Sequence, residues 1–168
     1  MRLDLAQLKE MHPAIPLARA ADLSHCAALG LQRNGHAPGA RLRARLDAIN
    51  HDTALDWTAA DDEARTQLDR HRITEDAAEA ISLALVSVAL SWVIRRRGQR
   101  GDHADWIMRD PEGNRIALEV SGIDAGDHAH RLRDKARQVG RSLADQRAAC
   151  VVELATPLAA LATTSVEP

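Results

Sequence analysis

Aromatic side chains are nearly absent from this chain. It has no phenylalanine and no tyrosine, and its three tryptophans are Trp57, Trp92 and Trp106. Proteins that hold single-stranded nucleic acid by stacking need several aromatic side chains on one surface. Three tryptophans so far apart in the sequence are too few for such a platform, and we expect all three to be core residues.

Cysteine and long apolar runs are also scarce. Cys26 and Cys150 are too few and too widely spaced to predict a disulfide framework or a zinc site, and they fit a reducing cytosol. The longest apolar stretch, residues 81–94, is shorter than a membrane span and contains three serines. Charged residues near the start of the chain are not those of a secretory signal. These features predict a soluble, cytoplasmic protein with no membrane partner.

Positive charge is carried almost entirely by arginine, because Lys9 and Lys135 are the only lysines. With 22 basic and 24 acidic residues the net charge is -2, which argues against a strongly basic protein that coats nucleic acid without specificity. A local basic patch does exist in an arginine run. Its candidate nucleic-acid contacts are Arg95, Arg97 and Arg100, and the simpler alternative is a solvated strand end.

The 168 residues are enough for one well-buried domain with an added N-terminal segment. We predict that residues 1–70 form this elaboration, that 71–160 form the core, and that 161–168 are a frayed tail. Alanine and leucine at helical spacing predict a helix over 17–32, and a polar helical segment is expected over 61–70.

A β-hairpin is predicted in the N-terminal elaboration. Residues 40–47 alternate apolar side chains with Arg41, Arg43 and Arg45, the pattern of a half-exposed strand. Residues 53–58 are the expected partner strand. The arginine face of the first strand can bind phosphate, or it can simply be solvated.

The core is predicted to begin with a helix that has Thr74 as its N-cap and ends near Leu90. A short strand over 91–97, a hairpin, a polar helix over 127–139 and a buried strand over 148–154 follow it. The inward face of the first helix is expected to comprise Ala78, Ile81, Leu85 and either Val88 or Ala89.

Residues 104–121 predict a β-hairpin that sets two carboxylates side by side. Asp110-Pro-Glu-Gly113 has the residues of a type I turn with a left-handed glycine, which pairs Asp110 with Asn114. In this register, Asp105 lies directly opposite Glu119. The other expected pairs are Met108 with Ile116, Trp106 with Leu118, Ile107 with Ala117 and Ala104 with Val120.

Two like charges directly across a strand pair are destabilising, so their presence invites an explanation. A divalent cation shared by Asp105 and Glu119 is one explanation. A solvated hairpin face is the other, since Arg109 facing Arg115 in the same hairpin shows that like charges are tolerated there.

The order helix, three strands, helix, strand over residues 75–154 resembles the core of the restriction-endonuclease-like PD-(D/E)XK nuclease superfamily. The resemblance implies an α/β fold with an αβββαβ core and a mixed sheet, here preceded by the N-terminal helix and β-hairpin. In that family a strand acid and the first residue of an E-x-K element hold a divalent metal, and Asp105 and Glu119 match them. A helical acid sometimes joins the site, and Glu75 or Glu79 matches that position.

One position departs from the family pattern. Glu119-Val120-Ser121 has serine where the family has its catalytic lysine. The resemblance therefore implies a relocated cation, for which Lys135 on the following helix is the candidate. Arg131 is a weaker substitute because it cannot shuttle a proton near neutral pH. Gln138 sits where some resolvase-like members place a polar residue near the site.

Two other readings of this region involve different chemistry. His103, His128 and His130 flank the same edge and are an alternative zinc set, although solvated loop histidines are the simpler explanation. Ser121-Gly122 lacks the pattern of a hydrolase nucleophile elbow.

The resemblance implies a phosphodiesterase that acts on DNA or RNA and depends on Mg²⁺ or Mn²⁺. Asp105, Glu119 and Glu75 would be the metal ligands, and Lys135 the auxiliary cation. The alternative is a catalytically inactive nuclease-like fold that serves as a binding or regulatory partner in a bacterial mobile or defence system. The missing lysine and the mild acidity favour this alternative. The segment is also similar to a group of small bacterial proteins, a likeness that adds no chemistry.

Overall fold

A computed structural model of the protein describes residues 2–60 and 69–165. This part of the chain is α/β, and its eight strands join in one mixed sheet. The strands are β1 (Arg2–Asp4), β2 (Ala40–Leu46), β3 (Ile49–Asp56), β4 (Val93–Arg97), β5 (Trp106–Arg109), β6 (Arg115–Ile123), β7 (Gln146–Glu153) and β8 (Leu158–Ser165). The helices are α1 (Leu8–Met11), α2 (Leu17–Arg33), α3 (Arg70–Leu90) and α4 (His128–Val139). Most of the polar helix predicted over 61–70 lies outside the described residues.

The strand order across the sheet is β1-β3-β2-β8-β7-β6-β5-β4. The pairs β1/β3, β2/β8 and β6/β7 are parallel, and the other neighbours are antiparallel. Because parallel strands cannot be joined by a tight turn, the chain passes from β6 to β7 through α4.

Helices cover the sheet unequally on its two faces. α2 and α3 pack on one face over the larger core, whereas α4 packs on the other face over β6 and β7. β6 is therefore buried on both sides, which explains its near-continuous run of apolar and small residues. Within the described ranges, no helix combines the length and apolar character needed to cross a bilayer.

The helix predicted from Thr74 begins one turn earlier than expected. Asp69 is the N-cap, and its carboxylate accepts a hydrogen bond from the Arg72 amide at 3.0 Å. The Thr74 hydroxyl instead donates to the Arg70 carbonyl at 3.0 Å, inside the first turn. Any of several small polar residues can cap a helix, so the sequence did not decide between these two.

Most other local predictions are confirmed. The helix over 17–32 is α2, the strand over 40–47 is β2, and the three tryptophans are buried. The partner strand β3 begins at Ile49, earlier than expected. Of the two alternatives for the inward face of α3, Ala89 packs against the core while Val88 is exposed.

The predicted tail is not frayed where the structure describes it. β8 runs from Leu158 to Ser165, antiparallel to β7 and parallel to β2. The Asp47 carboxylate adds a bond from the Thr163 amide at 2.7 Å. This strand joins the N-terminal hairpin to the rest of the sheet, so residues 161–165 belong to β8, and the prediction of a frayed tail is corrected for them. Residues 166–168 lie outside the described part.

His12 is a fully buried polar side chain that links two elements of the fold. Its Nε2 lies 3.0 Å from the Leu83 carbonyl of α3, and its Nδ1 accepts from the Ile94 amide of β4 at 3.3 Å. This pattern requires the neutral ring with the proton on Nε2. Burial lowers the pKa of His12, against the smaller opposing effect of the Leu83 bond.

We expect protonation of His12 to lower the free energy of unfolding as the pH falls. A histidine with a lowered pKa contributes stability above its unfolded pKa of about 6.5, and this is lost as pH falls toward the folded value. His12→Gln should remove that part of the pH dependence and cost roughly 1–3 kcal/mol at pH 8, because a buried bond is weakened. Urea unfolding at several pH values measures both effects, with the exposed His25→Gln as control. Parallel pH profiles for the parent and His12→Gln would contradict the assignment.

Candidate functional site

The hairpin of β5 and β6 has the register predicted from its turn. Trp106 pairs with Leu118 and Met108 with Ile116. The turn is closed by the Asp110 carboxylate, which accepts from the Asn114 amide at 2.7 Å. Gly113 has φ of 95°, the left-handed conformation that the turn requires. The ladder ends at Trp106 and Leu118, so the predicted pairs of Asp105 with Glu119 and of Ala104 with Val120 are not formed as strand pairs. Asp105 lies in the bend just before β5, close enough for its charge to raise the pKa of Glu119.

β6 extends beyond the end of β5, and two carboxylates occupy the edge that β5 leaves open. Asp105 Oδ2 accepts from the Val120 amide at 2.9 Å, and Glu75 Oε2 accepts from the Gly122 amide at 2.9 Å. A longer β5 would supply carbonyl oxygens to these amides. The carboxylates therefore satisfy backbone donors that would otherwise lack a strand partner.

Glu119 is the most buried carboxylate of the group, with 3% of the residue exposed. Its Oε1 accepts from Lys135 Nζ at 2.7 Å, and the same ammonium group reaches Gln138 Oε1 at 3.3 Å. Burial raises the pKa of Glu119, and the nearby charge of Asp105 raises it further, despite the opposing effects of Lys135 and Arg97. The local positive charge thus does not fully offset the cost of ionising Glu119.

Lys135 comes from α4 because that helix crosses β6 on the face where Glu119 points. Leu132, Ala136 and Val139 belong to the small apolar cluster between α4 and the sheet. Lys135 lies beside this stripe, so its stem is covered while its ammonium group meets Glu119; 18% of the side chain is exposed.

The two candidate helical acids take different partners. Glu79 is buried and accepts from Arg19 at 3.0 Å and from Arg97 at 2.6 Å. Glu75 lies 3.4 Å from the Ser121 hydroxyl and 3.8 Å from Arg131. Neither acid pairs with Lys135.

Arg131, the substitute considered for the missing lysine, is engaged elsewhere. Its Nε donates to the Ser121 hydroxyl at 2.9 Å. Ser121 is fully buried and bridges Arg131 and Glu75. The serine thus ties α4 to the start of α3, while Lys135 is the cation that reaches Glu119.

The arginines predicted to contact nucleic acid do not form one free surface. Arg97 is committed to the site, since it pairs with Glu79, lies 3.7 Å from Asp105, and stacks 4.6 Å from the Trp106 ring. Arg95 and Arg100 are exposed. Sequence reasoning missed the bond of Arg97 with the acids; the signal was its place on the strand that pairs with Trp106, next to Asp105.

The three-carboxylate ligand set Asp105, Glu119 and Glu75 is not assembled. Among residues 2–60 and 69–165, no group of three or more histidine, cysteine, aspartate or glutamate side chains is arranged to hold a metal ion. Glu75 is held instead by the Gly122 amide. The expectation that Glu75 completes the set is therefore corrected. Two carboxylates, Asp105 and Glu119, remain as candidate ligands.

The same finding removes the alternative zinc set. His130 pairs with Asp134 at 3.4 Å, and His128 lies 3.9 Å from Glu153 at the end of β7. His103 lies in the loop between β4 and β5, with a positive φ of 53°. The three histidines are not gathered around a common point.

Comparison with protein-family models, with curated proteins and with solved structures found no match to this chain. Its function must therefore be inferred from the arrangement of its own side chains.

We expect Lys135→Met to destabilise the protein, because it leaves the Glu119 carboxylate buried beside Asp105 without its ammonium partner. The loss of unfolding free energy near pH 8 should be roughly 1–3 kcal/mol. A carboxyl group with a raised pKa contributes stability at low pH and loses it as pH rises through the folded value, so the deficit should shrink toward pH 5. Urea unfolding at both pH values measures this.

Two variants control this experiment. Lys135→Met combined with Glu119→Gln should recover most of the loss, because the buried charge is gone. Arg137→Met, on the exposed side of the same helix, should change stability by no more than about 0.5 kcal/mol. A Lys135→Met protein as stable as the parent at pH 8 would show that the ion pair contributes nothing.

Proposed function

We propose that this protein is a divalent-metal-dependent phosphodiesterase that acts on nucleic acid. The observation that carries the proposal is the 2.7 Å contact between Lys135 Nζ and Glu119 Oε1. It supplies a cation at the position where the nuclease-like motif, reading Glu119-Val120-Ser121, lacks its lysine. The element order α3-β4-β5-β6-α4-β7 is also the order αβββαβ that the resemblance implies.

Asp105 and Glu119 are the residues that would hold the metal. Both offer carboxylate oxygens, which Mg²⁺ and Mn²⁺ prefer, and Mg²⁺ commonly binds through one or two carboxylates while retaining several waters. Burial and the nearby charge of Asp105 raise the pKa of Glu119 despite Lys135 and Arg97, and this supports the fit, because a bound cation would offset the cost of ionising the buried carboxyl. A bound ion would lower the pKa of a water and stabilise charge on a scissile phosphate.

The other residues of the site would position the metal ligands and offset negative charge. Lys135 presents a compact positive charge beside Glu119, where it can stabilise charge that develops on a phosphate oxygen. The Val120 amide fixes the orientation of the Asp105 carboxylate through its 2.9 Å bond. Arg97 offsets the charges of Asp105 and Glu79. Glu119 lies on β6, Lys135 on α4 and Arg97 on β4, and Asp105 directly precedes β5, so regular elements restrict movement of these groups.

A second candidate function is a nuclease-like fold that binds or regulates a partner without catalysis. One observation favours it: the carboxylates of Asp105 and Glu75 already bond to the amides of Val120 and Gly122. This capping role accounts for acids at the open edge of β6 without a metal. It does not account for Glu119, which bonds to no amide and is buried with a raised pKa.

Cleavage assays test the proposal directly. The purified protein should cleave at least one of single-stranded, double-stranded and branched DNA or RNA when Mg²⁺ or Mn²⁺ is present, and chelation should abolish this. Asp105→Asn, Glu119→Gln and Lys135→Ala should each lower the rate by roughly 100-fold or more, the effect expected for groups that stabilise transition-state charge. Glu153→Gln, at the end of β7, is the matched control and should retain the parent rate.

Metal binding can be measured without activity. At a metal concentration of about 100 times Kd, binding to the folded state adds about 2.7 kcal/mol of stability. Asp105→Asn should abolish this gain while keeping an oxygen acceptor for the Val120 amide. If Mg²⁺ and Mn²⁺ leave Tm unchanged and no nucleic acid is cleaved, the non-catalytic alternative is favoured.

A further inference from the structure

The face of the sheet that carries α4 is only half covered. α4 packs over β6 and β7 and reaches the near side of β8. Beyond it, β2 and β3 have no helix above them on this face within the described residues. The register places Arg43 opposite Asp52 and beside Leu158, and Arg45 opposite Asn50 and beside Ala160.

This open face forms a groove along the flank of α4. A cavity of about 350 Å³ is lined by Arg43, Arg45, His128 and Ala160, among others. A second cavity of about 310 Å³ shares Arg45, His128 and Ala160 with it and adds Arg133. The shared residues make the two cavities one groove, with a floor of small side chains from β8 and cationic walls from β2 and α4. We call it the β2–α4 groove.

The β2–α4 groove has more positive than negative charge. Its basic side chains are Arg43, Arg45 and Arg133, with His128 at the helix start. Its two acids already have partners: Asp52 pairs with Arg41 at 2.6 Å, and Asp47 bonds to the Thr163 amide and hydroxyl. Among the described residues, Arg43 and Arg133 have no carboxylate within salt-bridge distance.

The arrangement of the β2 arginines suits a polymer with repeated charge. Arg41, Arg43 and Arg45 alternate with the buried residues of β2, so they project from one face about 6.8 Å apart. Arg41 is paired with Asp52. The guanidinium groups of Arg43 and of Arg45, whose Nε already donates to the Asp47 carbonyl at 3.0 Å, can each bind a phosphate through two parallel hydrogen bonds. None of the residues that line the groove is a tryptophan, so bases have no stacking platform there.

We infer that the β2–α4 groove binds the phosphodiester backbone of a single nucleic-acid strand, without reading its sequence. The groove lies on the side of α4 toward β2, whereas Lys135 and Arg131 reach the site on β6 from the same helix. Binding there is a property separate from the proposed hydrolysis and holds whether or not the protein cleaves.

The test is fluorescence anisotropy of a labelled single-stranded oligonucleotide in EDTA, titrated with protein at several salt concentrations. Contact with phosphates makes log K fall linearly with log salt, with a slope of about -0.7 per phosphate for a single strand. Arg43→Ala combined with Arg45→Ala should therefore reduce the magnitude of the slope by about 1.4 and weaken binding at least 10-fold. Oligonucleotides of different sequence should bind alike.

A charge-matched control distinguishes binding in the groove from a general effect of the protein's positive charge. Arg109→Ala combined with Arg141→Ala removes the same charge from exposed positions outside the groove and should leave Kd and slope unchanged. Equal losses in the two double variants would overturn the inference. Both pairs are exposed, so both variants should keep the parent Tm; an Arg43→Lys and Arg45→Lys variant, which keeps the charge, should retain most of the salt slope.

Four further outcomes decide whether the groove binds the strand. Absence of binding at low salt overturns the inference, as does displacement by poly-glutamate at the same charge concentration, which would indicate an acidic protein partner. Loss of binding in Asp105→Asn would place the strand at the β6 site instead. Binding that depends on Arg43 and Arg45 in a protein without nuclease activity would uphold the groove and refute only the proposed hydrolysis.

Discussion

The arrangement of this protein around β6 depends on the ion pair between Glu119 and Lys135. A carboxylate on a strand that is buried on both faces is costly to ionise, and a single ammonium group from α4 offsets part of that cost. The same contact joins α4 to β6, beside the apolar cluster that packs this helix on the sheet. Burial is the main cause of the raised pKa of Glu119, and the negative charge of Asp105 adds to it, so the ammonium group does not fully offset the cost of ionising the carboxyl.

Structural and chemical roles overlap at the open edge of β6. The Asp105 carboxylate replaces a missing strand partner for the Val120 amide, and the same bond holds its remaining oxygen lone pairs in a fixed direction. Further along β6, Glu75 accepts a backbone amide in the same way and also lies within hydrogen-bond distance of Ser121. These contacts join α3, β6 and α4. A hairpin with one short strand thus creates polar positions at an edge that would otherwise be closed by backbone hydrogen bonds.

The arginines of the protein divide into those that pair with acids and those that remain available. Arg97 belongs to the arginine run of the sequence, but it forms ion pairs with Glu79 and Asp105 in the site. Arg43 and Arg45 lie on a half-uncovered sheet face, where the apolar alternation of β2 directs them to solvent. Density of arginine in the sequence is therefore a poor guide to the surface that can meet an anion; the partners supplied by neighbouring elements decide it.

Local preferences along the chain are enough for the features that depend on near neighbours: the turn at Gly113, the register that pairs Trp106 with Leu118, and the alternation of β2, each fixed by backbone preference and side-chain period. Tertiary structure decided the rest. Residues 158–165 have no strong strand pattern of their own and form β8 because β7 and β2 supply hydrogen-bond partners on both sides. Lys135 was a candidate in the sequence, but its meeting with Glu119 required α4 to cross β6 at one angle and depth. Distances between distant segments come from packing, which no local pattern encodes.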